Sequence, residues 1–209
     1  MSELETIRLS LKDKIVELAP DRDGWIIVLK GDRINSIKVA RSQVGLSLDF
    51  EWHFVAPVVV YEEVTERRVR LYRELKRREA QTLRRGWLRY SYTWITSTAL
   101  KENLPEVTPM NDLVERLNND TNLQRLLRRS VVDELHVNTY FSLDWGINPK
   151  DSIRRHYQDP EKVGWLLTAI KGPGSEWRFA SIVRRIYELL EYLAGRLSEF
   201  TYEVERELF

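Results

Sequence analysis

Ten basic side chains fall between residues 65 and 90: Arg67, Arg68, Arg70, Arg73, Lys76, Arg77, Arg78, Arg84, Arg85 and Arg89. Only Glu66, Glu74 and Glu79 oppose them, so the local balance is +7 in a chain whose formal net charge is +1. Tyr72, Trp87, Tyr90, Tyr92 and Trp94 are interleaved or adjacent. Cations neutralise phosphates and flat rings can stack on unpaired bases. The stretch therefore reads as a nucleic-acid surface, with Arg67, Arg70, Arg73, Arg77, Arg78, Arg84, Arg85 and Arg89 as phosphate ligands and RNA or DNA as the partner. A plainer reading stands beside it. The 33 basic residues include 24 Arg, and the chain holds 21 Glu, so these arginines could pair with acids on a solvated helix face.

A second constellation is Arg129-Ser-Val-Val-Asp-Glu-Leu-His136. It resembles the Arg-x(4–6)-His motif of the HEPN nuclease superfamily, helical RNases that often act as dimers. The resemblance covers these eight residues. It implies His136 as the acid/base and Arg129 as a phosphate ligand in metal-independent RNA cleavage. On a helix the same residues would also form an Arg129–Asp133 pair four apart, with His136 at the helix C-terminus, where a cation is favoured.

Other patterns are thinner. His53 has Asp49 and Glu51 as near neighbours on one strand face, but no two histidines lie three or four apart, so neither a metal nor a cofactor is expected. Lys171-Gly172-Pro173-Gly174-Ser175 opens a helical pattern, which could attract an anion or serve as an ordinary helix connection. The aromatic stretch from Asn138 to Tyr157 reads either as a binding loop or as a cover for the sheet. There is no P-loop, no Gly-x-Gly-x-x-Gly, no Gly-x-Ser-x-Gly elbow and no His-Glu-x-x-His. Cysteine is absent, which excludes disulfides, thiolate nucleophiles and Cys-based zinc sites.

The elements that would position these residues follow from periodicity. Leu46, Leu48, Phe50, Trp52 and Phe54 alternate with polar residues, the period of a half-buried strand. Ile7, Leu9 and Leu11 alternate likewise, Trp25–Leu29 and Ile34–Ala40 read as a hairpin around Gly31, and Val58–Val60 closes the set. From Glu62 to about Trp94 helix formers dominate. Thr121 to Leu135 carries a helical stripe, and residues 161–170 read as a short helix. In the last helix Ile186, Leu190, Leu193, Leu197, Phe200 and Val204 advance by four and three, the period of a coiled-coil seam. That stripe suits either a bundle or association with a second copy or a protein partner through residues 176–208.

The expectation is thus an α+β chain. An N-terminal antiparallel sheet of four to five strands (residues 1–62) precedes a mainly helical region (63–209) with a long C-terminal helix. The two regions could be one continuous domain. The start of the chain has no signal-like apolar core, and the longest apolar stretch, Phe54–Tyr61, is far below the ~20 residues of a spanning helix. A cytoplasmic protein without a membrane partner is expected. The leading functional expectation is a non-enzymatic binding or assembly protein. The alternatives are a HEPN-like RNase and a structural subunit of a larger complex.

Overall fold

The structure is a computed structural model that describes residues 3–31, 33–43, 50–59, 78–85, 91–98, 109–139, 163–172 and 179–208. Eight strands form one sheet: β1 (Ile15–Asp21), β2 (Gly24–Leu29), β3 (Ser36–Gln43), β4 (Phe50–Val59), β5 (Arg78–Arg85), β6 (Ser91–Thr98), β7 (Glu134–Thr139) and β8 (Val163–Lys171). Their order is β1-β2-β3-β4-β8-β7-β5-β6, and every pairing is antiparallel. Among the described residues four helices accompany them: α1 (Glu3–Ser10), α2 (Pro109–Asn119), α3 (Thr121–Ser130) and α4 (Phe179–Leu208).

The expected four- to five-stranded N-terminal sheet followed by a helical body is therefore wrong. Half of the sheet comes from beyond residue 62, and β4–β8 pairing joins the two parts. Residues 78–85 are rich in helix formers, yet they pair with β6 on one side and β7 on the other. Hydrogen bonding to two neighbours overrides the weak preference of a single stretch. Its partner Ser91–Thr98 holds Tyr, Trp, Ile and three Thr, all strand formers. Residues 163–171 form β8 rather than a short helix. A short, nearly continuous apolar run has no period with which to tell the two apart.

Two smaller corrections have clear causes. Ile7 and Leu11 are buried while Leu9 is 62% exposed, so spacing by four wins over alternation and residues 3–10 are helical. The stripe expected to run from Thr121 to Leu135 stops at Ser130, because Val131 adopts φ 50°, ψ 41° and caps the helix in the left-handed region. Val58 and Val59 do not start a new strand; they extend β4 through Pro57. Pairing of β3 with β4 ends at Val55, so the proline lies beyond that ladder.

The sheet has two different faces. On one, Ile27, Ile37, Val39, Phe54, Leu167 and Val137 belong to the main core. Helix α4 crosses this face over β4 and β8, with α1 and α3 beside it, while α2 and α3 cover β5 and β6. Ile186, Leu190, Leu193, Leu197, Phe200 and Val204 are all buried in this core, so the seam packs within the chain rather than against a partner. Thirty helical residues span about 45 Å, long enough to cross the sheet. Trp165 of β8 donates from Nε1 to Thr201 Oγ1 at 2.9 Å and meets the Phe200 ring at 6.4 Å, fixing α4 on its floor.

Truncating a buried stripe residue should be costly. Leu193→Ala should lower unfolding free energy by about 2–5 kcal/mol in urea denaturation, with the mass in solution unchanged; a loss below about 0.5 kcal/mol would contradict internal packing of the stripe. Val131→Gly should act in the opposite sense. It relieves left-handed strain of about 1–2 kcal/mol against about 0.5–1 kcal/mol of glycine entropy, so the midpoint should rise slightly, whereas Val131→Ala should bring no gain.

Candidate functional site

The expected basic helix does not exist where it can be checked. Arg78, Arg84 and Arg85 lie on β5, opposite Thr98, Tyr92 and Ser91. A strand sends successive residues to opposite faces, so it cannot gather a helical stripe. Arg67, Arg70, Arg73, Arg77 and Arg89 lie outside the described residues. Tyr92 and Trp94, proposed as stacking rings, are 4% and 1% exposed, and the Tyr92 hydroxyl donates to the Val132 carbonyl at 2.8 Å. Rings held in the core cannot stack on bases.

Arg129 and His136 do not come together on one helix. Arg129 ends α3 on the helix layer, 58% exposed. His136 is on β7, between the core residues Leu135 and Val137, and so belongs to the other face of the sheet. Asp133, the anticipated partner of Arg129, instead accepts from the Gly172 N–H at 2.6 Å and from Lys171 Nζ at 3.3 Å. That contact occupies the start of the 171–175 loop, whose remaining residues are outside the described set.

A different basic surface is built by α3 and the first turns of α4. Helix α3 reads Thr-Asn-Leu-Gln-Arg-Leu-Leu-Arg-Arg-Ser and contains no acid. Burial of Leu123 and Leu127 forces Arg125, Arg128 and Arg129 to the solvent side, spaced by three and four. Asp120 caps the helix, its Oδ1 accepting from the Leu123 N–H at 2.9 Å. The other end is tied to α4, where Ser130 Oγ donates to the Arg185 carbonyl and Arg185 donates to the Arg129 carbonyl. Glu188 then holds two guanidinium groups, Arg129 at 3.4 Å and Arg184 at 3.3 Å, and Asp13 lies 4.0 Å from Arg184. Among the described residues no acid pairs with Arg125 or Arg128. Among the described residues, these five arginines and two carboxylates sum to +3. The signal was present in the sequence as Arg125-x-x-Arg128-Arg129 within an acid-free amphipathic stretch, but the denser 65–90 run outweighed it.

Groups of another kind line the second sheet face. Register places His53 and Glu134 opposite Ile170 from its two sides, and Val55 and His136 opposite Thr168. Glu51, His53, Glu134 and His136 thus form an alternating carboxylate–imidazole string. His136 Nε2 is 3.0 Å from Glu134, and His53 Nε2 is 2.9 Å from Ser42 Oγ and 3.5 Å from Glu51. Serine and glutamate share one nitrogen of His53, so the imidazole cannot relay between them as a nucleophile–base–carboxylate triad would require. Burial pushes His53 below its ordinary pKa of 6.5, against the opposing pull of Glu51 and Glu134. No group of three or more potential metal ligands occurs among the described residues.

Between α2 and α4 lies a polar groove of about 460 Å³ lined by Asp112, Glu115, Arg116, Asn119, Asp120 and Arg196. Its cations are engaged. Arg196 bridges Asp120 and Glu199 at 2.8 Å each, and Arg116 pairs with Glu203 above the Phe200 ring. Tyr192 also donates to Asp120, and burial, helped by this hydrogen bond, raises the tyrosine pKa. The groove is an ion-pair network that joins two helices.

No described helix is long and apolar enough to cross a membrane. Comparisons with protein-family models, curated proteins and solved structures gave no match.

The His53 shift has a defined sign. With the folded pKa below 6.5, its contribution is intact above pH 6.5 and is lost as pH falls from there towards the folded value. Urea midpoints measured between pH 8 and pH 5 should fall more steeply in the native chain than in His53→Gln; parallel curves would remove this assignment.

Proposed function

We propose that this chain is a non-enzymatic binding protein that holds the phosphate backbone of nucleic acid on the arginine surface of α3 and α4. The observation that carries the reading is the pair Arg125 and Arg128. Both are exposed, on a helix without acids whose last turn is hydrogen-bonded to the first turns of α4, where Arg184 and Arg185 stand. Guanidinium groups bind phosphate bidentately, and a local +3 in a chain of net +1 concentrates attraction on this surface. A protein partner is less well served. The exposed large hydrophobics among the described residues are Leu9, Val16 and Tyr202, none of them on α3 or the first turns of α4, whereas protein interfaces bury an apolar centre. The reading is for a protein working in the cytoplasm, where nucleic acid is within reach.

Counterion release makes the reading measurable. Three to five neutralised phosphates predict a slope of log affinity against log salt between about −2.7 and −4.5, so affinity should fall at least about 40-fold between 50 and 200 mM salt. Fluorescence anisotropy with a labelled oligonucleotide would give the slope. The double variant Arg125→Glu/Arg128→Glu should abolish binding at 100 mM salt with its circular dichroism unchanged. Equal affinity of variant and native chain would move the site elsewhere.

A further inference from the structure

We infer that the arginine surface takes double-stranded nucleic acid, gripping the duplex by its backbone; the inference rests on the reading above. Single strands are held by charge together with rings on which their bases stack, each stacked base adding about 1–3 kcal/mol. No such platform adjoins this surface among the described residues. Tyr187, two residues beyond Arg185, is 8% exposed, and Tyr92 and Trp94 beneath α3 are buried. The exposed ring Tyr202 is 18 residues along α4 from Arg184, about 27 Å away at 1.5 Å per residue. Charge is what remains, and charge favours the duplex. A duplex carries one phosphate per about 1.7 Å of axis and a single strand one per about 3.4 Å. Along the about 15 Å of the ten-residue helix α3, the axial phosphate charge density is thus roughly twice as high for a duplex.

Rigidity points the same way. Glu188 holds Arg129 and Arg184 in one arrangement, and the Arg185–Arg129 and Ser130–Arg185 hydrogen bonds lock α3 to α4. Two helices joined in this way present their arginines from one rigid base, which suits the regular phosphates of a stiff helix, whereas a flexible strand must lose its own freedom to fit.

The test compares a 20-base-pair DNA duplex, the RNA duplex of the same sequence, each separated strand and a poly-glutamate peptide, all by anisotropy at 100 mM salt. At least one duplex should bind about tenfold or more tightly than either of its strands, and Arg125→Glu/Arg128→Glu should lose that binding. Strands that bind as tightly as their duplexes overturn the inference and leave the backbone-binding reading standing. If no nucleic acid binds, or the peptide binds as well as the duplexes, the reading fails and the inference with it.

Discussion

Strand β8 lies between β4 and β7, and the rest of the molecule depends on that insertion. It runs antiparallel to both, so every second residue faces the helix layer in register with its neighbours. Ala169 sits between Phe54 and Leu135, and Leu167 between Ala56 and Val137. These rows make a continuous apolar floor from the two parts of the sheet, joined where β4 pairs with β8 residues more than a hundred positions later. Without β8, strands β1–β4 and β5–β7 would be separate pieces, each with an exposed edge. The buried stripe of α4 would then have half a surface to cover. Trp165 makes the dependence specific, since its indole N–H needs Thr201 and its ring meets Phe200.

From that floor the helix layer follows. Its apolar face must go down, so the polar face of each helix is set by what is buried. In α3 this exposes an unbroken basic side, and the negative end of the helix dipole favours cations near Arg128 and Arg129. Helix α4 continues the surface only at its beginning. Farther along, Arg196 is drawn to Asp120 and Glu199, and Arg116 to Glu203. The helix layer therefore has a basic end left open and a mixed-charge end closed on itself. One buried carboxylate helps hold that closed end: Asp120 caps α3 and also receives Tyr192 and Arg196 of α4.

The second sheet face obeys a different constraint. Ile26, Ala40, Val55 and Leu166 are buried there outside the main core, alongside His136 and the ion pair of Lys38 with Asp21 at 2.9 Å. Both side chains of that pair are nearly inaccessible, 6% and 4% exposed. Either charge alone would be buried and unpaired, a costly state. A slip of one residue between β2 and β3 would turn Lys38 onto the apolar face, so the pair helps fix the register of the N-terminal hairpins.

Much of the local structure was legible. The spacing of Ile186 to Val204 needs a helix, and α4 is there; the alternation through Trp52 and Phe54 needs a strand, and β4 is there. Gly24–Leu29 and Ser36–Gln43 pair as their turn residues suggest. The two largest errors share one origin. Residues 78–85 and 163–171 satisfy helix and strand alike until a neighbouring strand supplies hydrogen bonds, and those neighbours lie far away in sequence. The same holds for the site. The acid-free arginine spacing of α3 can be read directly, but its joining to Arg184 and Arg185 some 55 residues later needs the Ser130–Arg185 bond. By itself the sequence determined which stretches are amphipathic and where charge is dense, because these are properties of neighbours on the chain. Tertiary structure alone decided which runs became strands, which stripe became core and which arginines share a surface, because those outcomes depend on partners that only the fold brings together.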